Sequence, residues 1–147
     1  MILLSETPID IGRLHADFAS GLDDAGAIAS FVGLVRRDGA AEVEALFLDH
    51  APALTKPAIE TALETAKARW PLIKALAVHR IGRVEVGDPI VFVATASAHR
   101  RAAFEACDFL MDFLKTDAPF WKKQICRSGE EWIEPRAEDY ADRDRWR

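Results

Sequence analysis

The sequence predicts an α+β fold, a mainly antiparallel sheet with packed helices. Short apolar runs bounded by turn residues recur along the chain, two longer segments carry apolar residues at helical spacing, and strands and helices do not alternate strictly. At 147 residues, half of them apolar, the chain has the size and core material of a single domain spanning 1–147.

The first helix is expected from Thr7 as cap and Pro8 at the first helical position. Ile11, Leu14 and Phe18 then share a face, and the helix should end near Gly21. After the turn at residues 23–26, the stretch Ala27-Ile-Ala-Ser-Phe-Val-Gly-Leu-Val35 is apolar almost throughout, as in a strand covered on both faces. The polar loop Arg36-Arg37-Asp38-Gly39 joins it to a second strand, Val43 to Leu48.

Ile59, Ala62, Leu63, Ala66 and Trp70 mark the face of a second helix, with Thr55 and Pro57 suited to its first turn and Pro71 to its end. Strands from Ile73 to His79 and from Pro89 to Ala96 flank the turn-rich segment 82–88 and should pair as a hairpin. A third helix, capped by Ser97 and running to about Thr116, is expected from Ala103, Ala106, Cys107, Leu110, Phe113 and Leu114. Asp117-Ala-Pro119 ends it, and Phe120 to Glu134 reads as one or two short strands. The charged tail, 136–147, is expected to be mobile or bound to a partner.

A net charge of −5 argues against a general nucleic-acid binder, so any anion site must be local. The N-terminus has no basic segment before its three-residue apolar run, and no stretch approaches the roughly 18 apolar residues of a membrane span. A soluble cytoplasmic protein without membrane attachment is the expectation. Cys107 and Cys126 lack metal or redox spacing and read as free thiols; the histidines at 15, 50, 79 and 99 are scattered, so no metal site and no bound cofactor is expected.

Cations nonetheless gather where sites are built: Arg36 and Arg37 after a strand, His99, Arg100 and Arg101 at a helix start, Lys115 at that helix's end, and Lys122 and Lys123 just beyond. Cations in a first turn oppose the helix dipole, while the same place suits a bound anion. Lys115 and Lys122 bracket Pro119-Phe120-Trp121, so a turn can fold one toward the other and partial desolvation can lower an amine's pKa. Spacing alone leaves open the plainer readings: solvated arginines, and two surface lysines beside core aromatics.

The segments Phe31-Val-Gly-Leu-Val-Arg36, Trp70-Pro71, His79-Arg-Ile-Gly82, Gly87-Asp88, Ser97-Ala-His-Arg100 and Met111-Asp-Phe-Leu-Lys-Thr-Asp-Ala-Pro-Phe-Trp-Lys122 together resemble the catalytic subunit family of molybdopterin synthases, the MoaE family. They run in order from about Gly26 to Trp132, and the last is the most specific. The resemblance implies an α/β hammerhead fold and a homodimer at the centre of a heterotetramer. It also implies a small ubiquitin-like sulfur-carrier subunit that brings a C-terminal glycine thiocarboxylate to cyclic pyranopterin monophosphate. Two sulfur deliveries would then form the dithiolene of molybdopterin.

By the same resemblance, Lys115 would be the principal catalytic lysine and Lys122 its assistant. Arg36, His99 and Arg100 would hold phosphate or pterin, and Leu34, Val35, Lys123 and Gln124 would line the pocket. The roles suit the chemistry, because converging cations offset repulsion between two anionic reactants. Two departures stand out: Ala51 follows His50 where the family commonly has tyrosine, and the loop from Arg37 to Glu42 is short. The alternatives are a silent module that only binds the carrier, and a Schiff-base lysine enzyme acting on another phosphorylated carbonyl compound.

Overall fold

Two four-stranded sheets organise the chain. The computed structural model describes residues 1–38 and 42–147, so part of the short loop noted above (39–41) lies outside the described residues. In chain order the elements are β1 (Ile2–Ser5), α1 (Ile11–Ala19), β2 (Ala27–Leu34), β3 (Val43–His50), α2 (Pro52–Arg69) and β4 (Leu72–Arg80). They continue as β5 (Gly82–Glu85), β6 (Pro89–Ser97), α3 (Arg100–Thr116), β7 (Phe120–Cys126), β8 (Gly129–Ile133) and α4 (Ala137–Asp144).

The first sheet has the order β1-β4-β6-β2 and the second β5-β3-β7-β8. Every pairing is antiparallel except β1 with β4, so the α+β expectation holds. β4 and β6 pair as the expected hairpin. The segment between them carries the additional strand β5, which crosses to the second sheet and pairs with β3.

Alternation explains why β4 and β6 read as continuous apolar runs. Ala75, Ala77, Val91 and Val93 face a core shared with Ile59, Leu63, Ala103 and Leu110 of α2 and α3. Leu76, Val78, Phe92, Ala94 and Ala96 face the opposite side, where Phe18 of α1 closes a second cluster. Both central strands are thus covered on two faces.

β2 departs from that expectation. It is the edge strand, and Phe31, Val32 and Leu34 are 44%, 36% and 57% exposed. Its apolar composition matches a covered strand, yet no strand among the described residues pairs with its outer edge.

Helix starts differ from the sequence reading in instructive ways. Asp10, not Thr7, caps α1, its Oδ1 accepting from the Arg13 N–H at 3.1 Å. α2 begins at Pro52, leaving Pro57 inside the helix, where the missing N–H costs a single bond to the preceding turn. Ser97 belongs to β6 and donates to the Pro71 carbonyl at 3.0 Å, so the residue before α3 is His99, without a side-chain cap. Gly26 is required where the chain enters β2, since a Cβ there would lie 2.1 Å from the Ala98 carbonyl oxygen.

The tail, expected to be mobile or bound to a partner, makes contacts within its own chain. α4 and the residues after it lie along α3, with Arg143 bound to Asp117 at 2.8 Å and Arg145 to Asp108 and Asp112 at 2.7 and 3.0 Å. Trp146 donates to Asp112 at 2.6 Å and meets Trp70 and Phe109 edge-on at 5.6 and 5.8 Å. A charged tail reads as solvated because its partners are acids on one distant helix face. No helix among the described residues is long and apolar enough to cross a membrane.

Trp146→Ala should therefore lower unfolding stability by about 2–4 kcal/mol, read from guanidinium denaturation, because it removes the ring contacts and the bond to Asp112. An unchanged midpoint would mean the tail contributes no packing.

Candidate active site

Whether the sequence-selected cations can meet is decided first by the length of α3. Arg100 and Lys115 stand at its two ends, about 22 Å apart at about 1.5 Å per residue. His99 and Arg100 are therefore remote from Lys115 within one chain, both exposed at the opposite pole.

The Lys115 pole collects other elements by register. Gly33 of β2 lies opposite Val91 of β6, which lies opposite His79 of β4, so the C-terminal ends of β2 and β4 share one edge of the sheet. α3 follows β6 and folds back on it, which brings its C-terminal end over that same edge. Arg36, two residues beyond β2, is exposed there. Val35 is buried, with its N–H on the Asp88 carbonyl at 3.0 Å and its carbonyl accepting from Gly87 at 2.7 Å, while Leu34 projects outward.

A tight turn carries the chain from Lys115 to Lys122. The Asp117 and Ala118 N–H groups both return to the Phe113 carbonyl, Ala118 is buried, and Thr55 donates to the Pro119 carbonyl at 2.8 Å. Thr55 has no exposed surface and its hydroxyl also accepts from the Ala51 N–H at 3.1 Å, so the turn is tied to the start of α2.

β7 then alternates. Lys122 is half-buried between Leu48 of β3 and Ile133 of β8. Burial, and after it the charge of Lys115, push its amine down to about 8, with Asp139 acting in the opposite sense. Lys123 faces the other side, 3.0 Å from Glu130 and over the rings of Phe47 and Trp132 at 5.5 and 5.2 Å. Gln124 returns to the Lys122 side, with the Cys126 thiol 4.0 Å from its Oε1.

His79 is the site member that sequence reading did not single out. It is 4% exposed and stacks on Phe120 with centroids 4.1 Å apart. Its Nδ1 lies 2.7 Å from the Arg80 carbonyl, which can only accept, so Nδ1 carries the hydrogen and Nε2 keeps a lone pair. Burial, against that hydrogen bond, and then the charges of Lys122 and Lys115 together push the ring down to about 4. The available signal was its place at a strand end in the His79-Arg-Ile-Gly82 stretch. Arg80 beside it is structural, its guanidinium donating to the carbonyls of Ser5, Glu6 and Arg83.

Among the described residues, Arg36, His99, Arg100, Lys115 and Lys122 make no ion pair and no side-chain hydrogen bond, whereas Lys123, Arg143 and Arg145 are paired. Arg37, Arg101, Lys56 and Arg127 are likewise unpaired, so lack of a partner alone does not define a site. Partial burial of an unpaired lysine that feels the charge of a second lysine makes Lys122 and Lys115 the candidates. Clefts of about 330 and 340 Å³ lie elsewhere, between β1 and α1, and are lined mainly by Leu3, Leu14, Phe18, Ile73 and Val78. Neither is bordered by Lys115 or Lys122. No group of three metal-ligating side chains occurs among the described residues.

Such a site can bind an anion at Lys115 while the Lys122 amine gives or takes a proton near neutral pH. The folded pKa of His79 is depressed, so the unfolded chain binds more protons between about pH 4 and 6.5, and stability should rise with pH across that window. His79→Gln should flatten that slope in denaturation midpoints, and in the native chain the ring signal should stay neutral in NMR down to about pH 5. A ring titrating near 6.5 would contradict its burial.

Known proteins resemble the chain over most of its length. A family model described as MoaE protein matches residues 4–117. The molybdopterin synthase catalytic subunit of Pseudomonas aeruginosa is 52% identical over 139 residues, 93% of this chain and 89% of the relative. That of Escherichia coli K12 is 41% identical over 146 residues, 99% and 97% of the two chains. Among solved structures, the molybdopterin biosynthesis MoaE protein from Burkholderia ambifaria superposes with a TM-score of 0.83 at 41% identity, covering 99% of this chain and 97% of that one.

Proposed function

The chain belongs to the MoaE family, and from that premise we propose that it is the catalytic subunit of a molybdopterin synthase, moving sulfur from a carrier's C-terminal thiocarboxylate onto cyclic pyranopterin monophosphate. The observation that carries the chemistry is the Lys115–Lys122 pair: two amines at one pole, one half-buried, with no protein anion bonded to either among the described residues. Two mutually repelling anions, a thiocarboxylate and a cyclic phosphate, need such a place to come into contact.

In this reading Lys115 is the principal catalytic lysine, holding the developing negative charge or the acyl group, and Lys122 shuttles protons. Arg36, with Leu34 and Val35 beside it, receives the phosphate or pterin at the sheet edge. Gln124 lines the Lys122 side. Lys123 belongs to the outer rim, because its charge is committed to Glu130.

His99 and Arg100 join the site from a second copy. β2 offers an unpaired edge with exposed Phe31, Val32 and Leu34, and Phe104 of α3 is 58% exposed nearby in sequence to His99. α3 runs antiparallel to β6 and hence in the direction of β2. A two-fold axis across β2 reverses the partner's α3, so the partner's His99–Arg100 pole comes beside this chain's Lys115 pole. The expected carrier is a small ubiquitin-like subunit, and relatives described as catalytic subunits imply a further chain of some kind.

Reconstitution tests the whole reading. Purified chain, thiocarboxylated carrier and cyclic pyranopterin monophosphate should yield molybdopterin, and Lys115→Ala should lose about 100-fold or more while remaining folded. Full activity in that variant would remove Lys115 from the mechanism. Borohydride trapping of a candidate carbonyl substrate without any carrier would instead favour the Schiff-base alternative.

Shared sites make a second, sharper expectation. Co-refolding inactive Lys115→Ala with inactive Arg100→Ala chains should restore about a quarter of wild-type activity, because half of randomly paired dimers contain one intact site. No restoration, with dimers formed, would place each site within one chain.

A further inference from the structure

Asp139 is a polar side chain in an unusual position. It is 7% exposed, lies on α4 outside the span that the family model matches, and is fixed by Arg136, whose backbone N–H and Nη2 donate to its carboxylate at 2.9 and 3.3 Å. α4 is anchored over the C-terminal end of α3 by Arg143 on Asp117, two residues past Lys115. Asp139 lies one helical turn before Arg143 on α4.

We propose that Asp139 is a positioning residue for the lysine pair, supplying from the C-terminal helix the fixed negative charge that Lys115 and Lys122 face. This rests on the reading of those lysines as the working pair. The charged and titratable groups facing Lys122 are then His79 from β4, Lys115 from α3 and Asp139 from α4, while its neighbours on β3 and β8, Leu48 and Ile133, are apolar.

The electrostatics agree in both directions. Asp139 raises the proton affinity of the Lys122 amine against burial and Lys115. Burial in turn works against the Asp139 carboxylate, but its bonds from Arg136, with Lys115 adding to them, hold it below the usual range. Without this carboxylate the Lys122 amine would release its proton more readily, and the pair would face incoming anions with one charge fewer held in place.

Site-resolved acetylation tests this without any sulfur transfer. Labelling of Lys122 is measured by mass spectrometry at pH 7 and at pH 10, where accessibility alone governs the rate. In Asp139→Asn the ratio of the pH 7 to the pH 10 rate should rise about two- to fivefold, because more free amine is present at pH 7. Asp139→Glu should stay near the native ratio.

Undocking of α4 would move the ratio the other way, since relief of burial raises an amine's pKa, so a fall in Asp139→Asn overturns the proposal in favour of a packing role. An unchanged ratio overturns it as well. Were the ratio to rise while reconstitution failed, the functional reading would fall and the electrostatic assignment would stand.

Discussion

Holding two amines side by side without a bonded anion is the constraint on which the rest of this site depends. The charge of Lys115 works against protonated Lys122, a repulsion that tends to splay flexible lysines apart. The fold resists chiefly by fixing the backbone, with no anion bonded to either amine among the described residues. Thr55, without exposed surface, holds the Pro119 carbonyl; Ala118 is buried; Phe120 lies flat on His79. Lys115 also sits in the last turn of α3, where the helix dipole favours a cation. What repulsion remains is relieved by loss of a proton from Lys122, whose amine burial and Lys115 push down to about 8.

That arrangement was only partly legible in the sequence. The α3 periodicity, the break at Asp117–Pro119 and the strand after it are local signals, and they were enough to suggest that Lys115 and Lys122 could approach. His79 was not legible as a site residue, because its role comes from register: it reaches the site by lying across the sheet from Val91 and by stacking on a ring from the other sheet. Thr55 was read as a first-turn residue, whereas it tethers a turn 64 residues away. The docking of the tail was missed for the same reason, since Arg143 and Arg145 find acids that only the folded α3 lines up.

The apolar run of β2 shows the opposite kind of failure. Its composition suggested a strand covered on both faces, but it lies at the edge of its sheet with Phe31, Val32 and Leu34 exposed among the described residues. The same holds for His99 and Arg100, whose place in a first turn was legible and whose distance from Lys115 followed from counting residues along one helix. The two-fold assembly proposed above would account for both the uncovered edge and the stranded pair of cations. A pattern computed along one chain carries no term for a second copy.

Ala51 bears on how much of the site depends on any single side chain. It precedes α2 without offering a side-chain cap, and the start of that helix is kept by Pro52 and by Thr55, whose hydroxyl accepts the Ala51 N–H. Replacing a large ring at this position therefore leaves the tether to Pro119 intact. His50, its neighbour, pairs opposite Phe120 at the start of β7, two positions from Lys122. Trp121, half exposed on the adjoining strand, is the aromatic surface that remains there. The cations are positioned by backbone and buried contacts, which is why the rim can vary while the pair keeps its geometry.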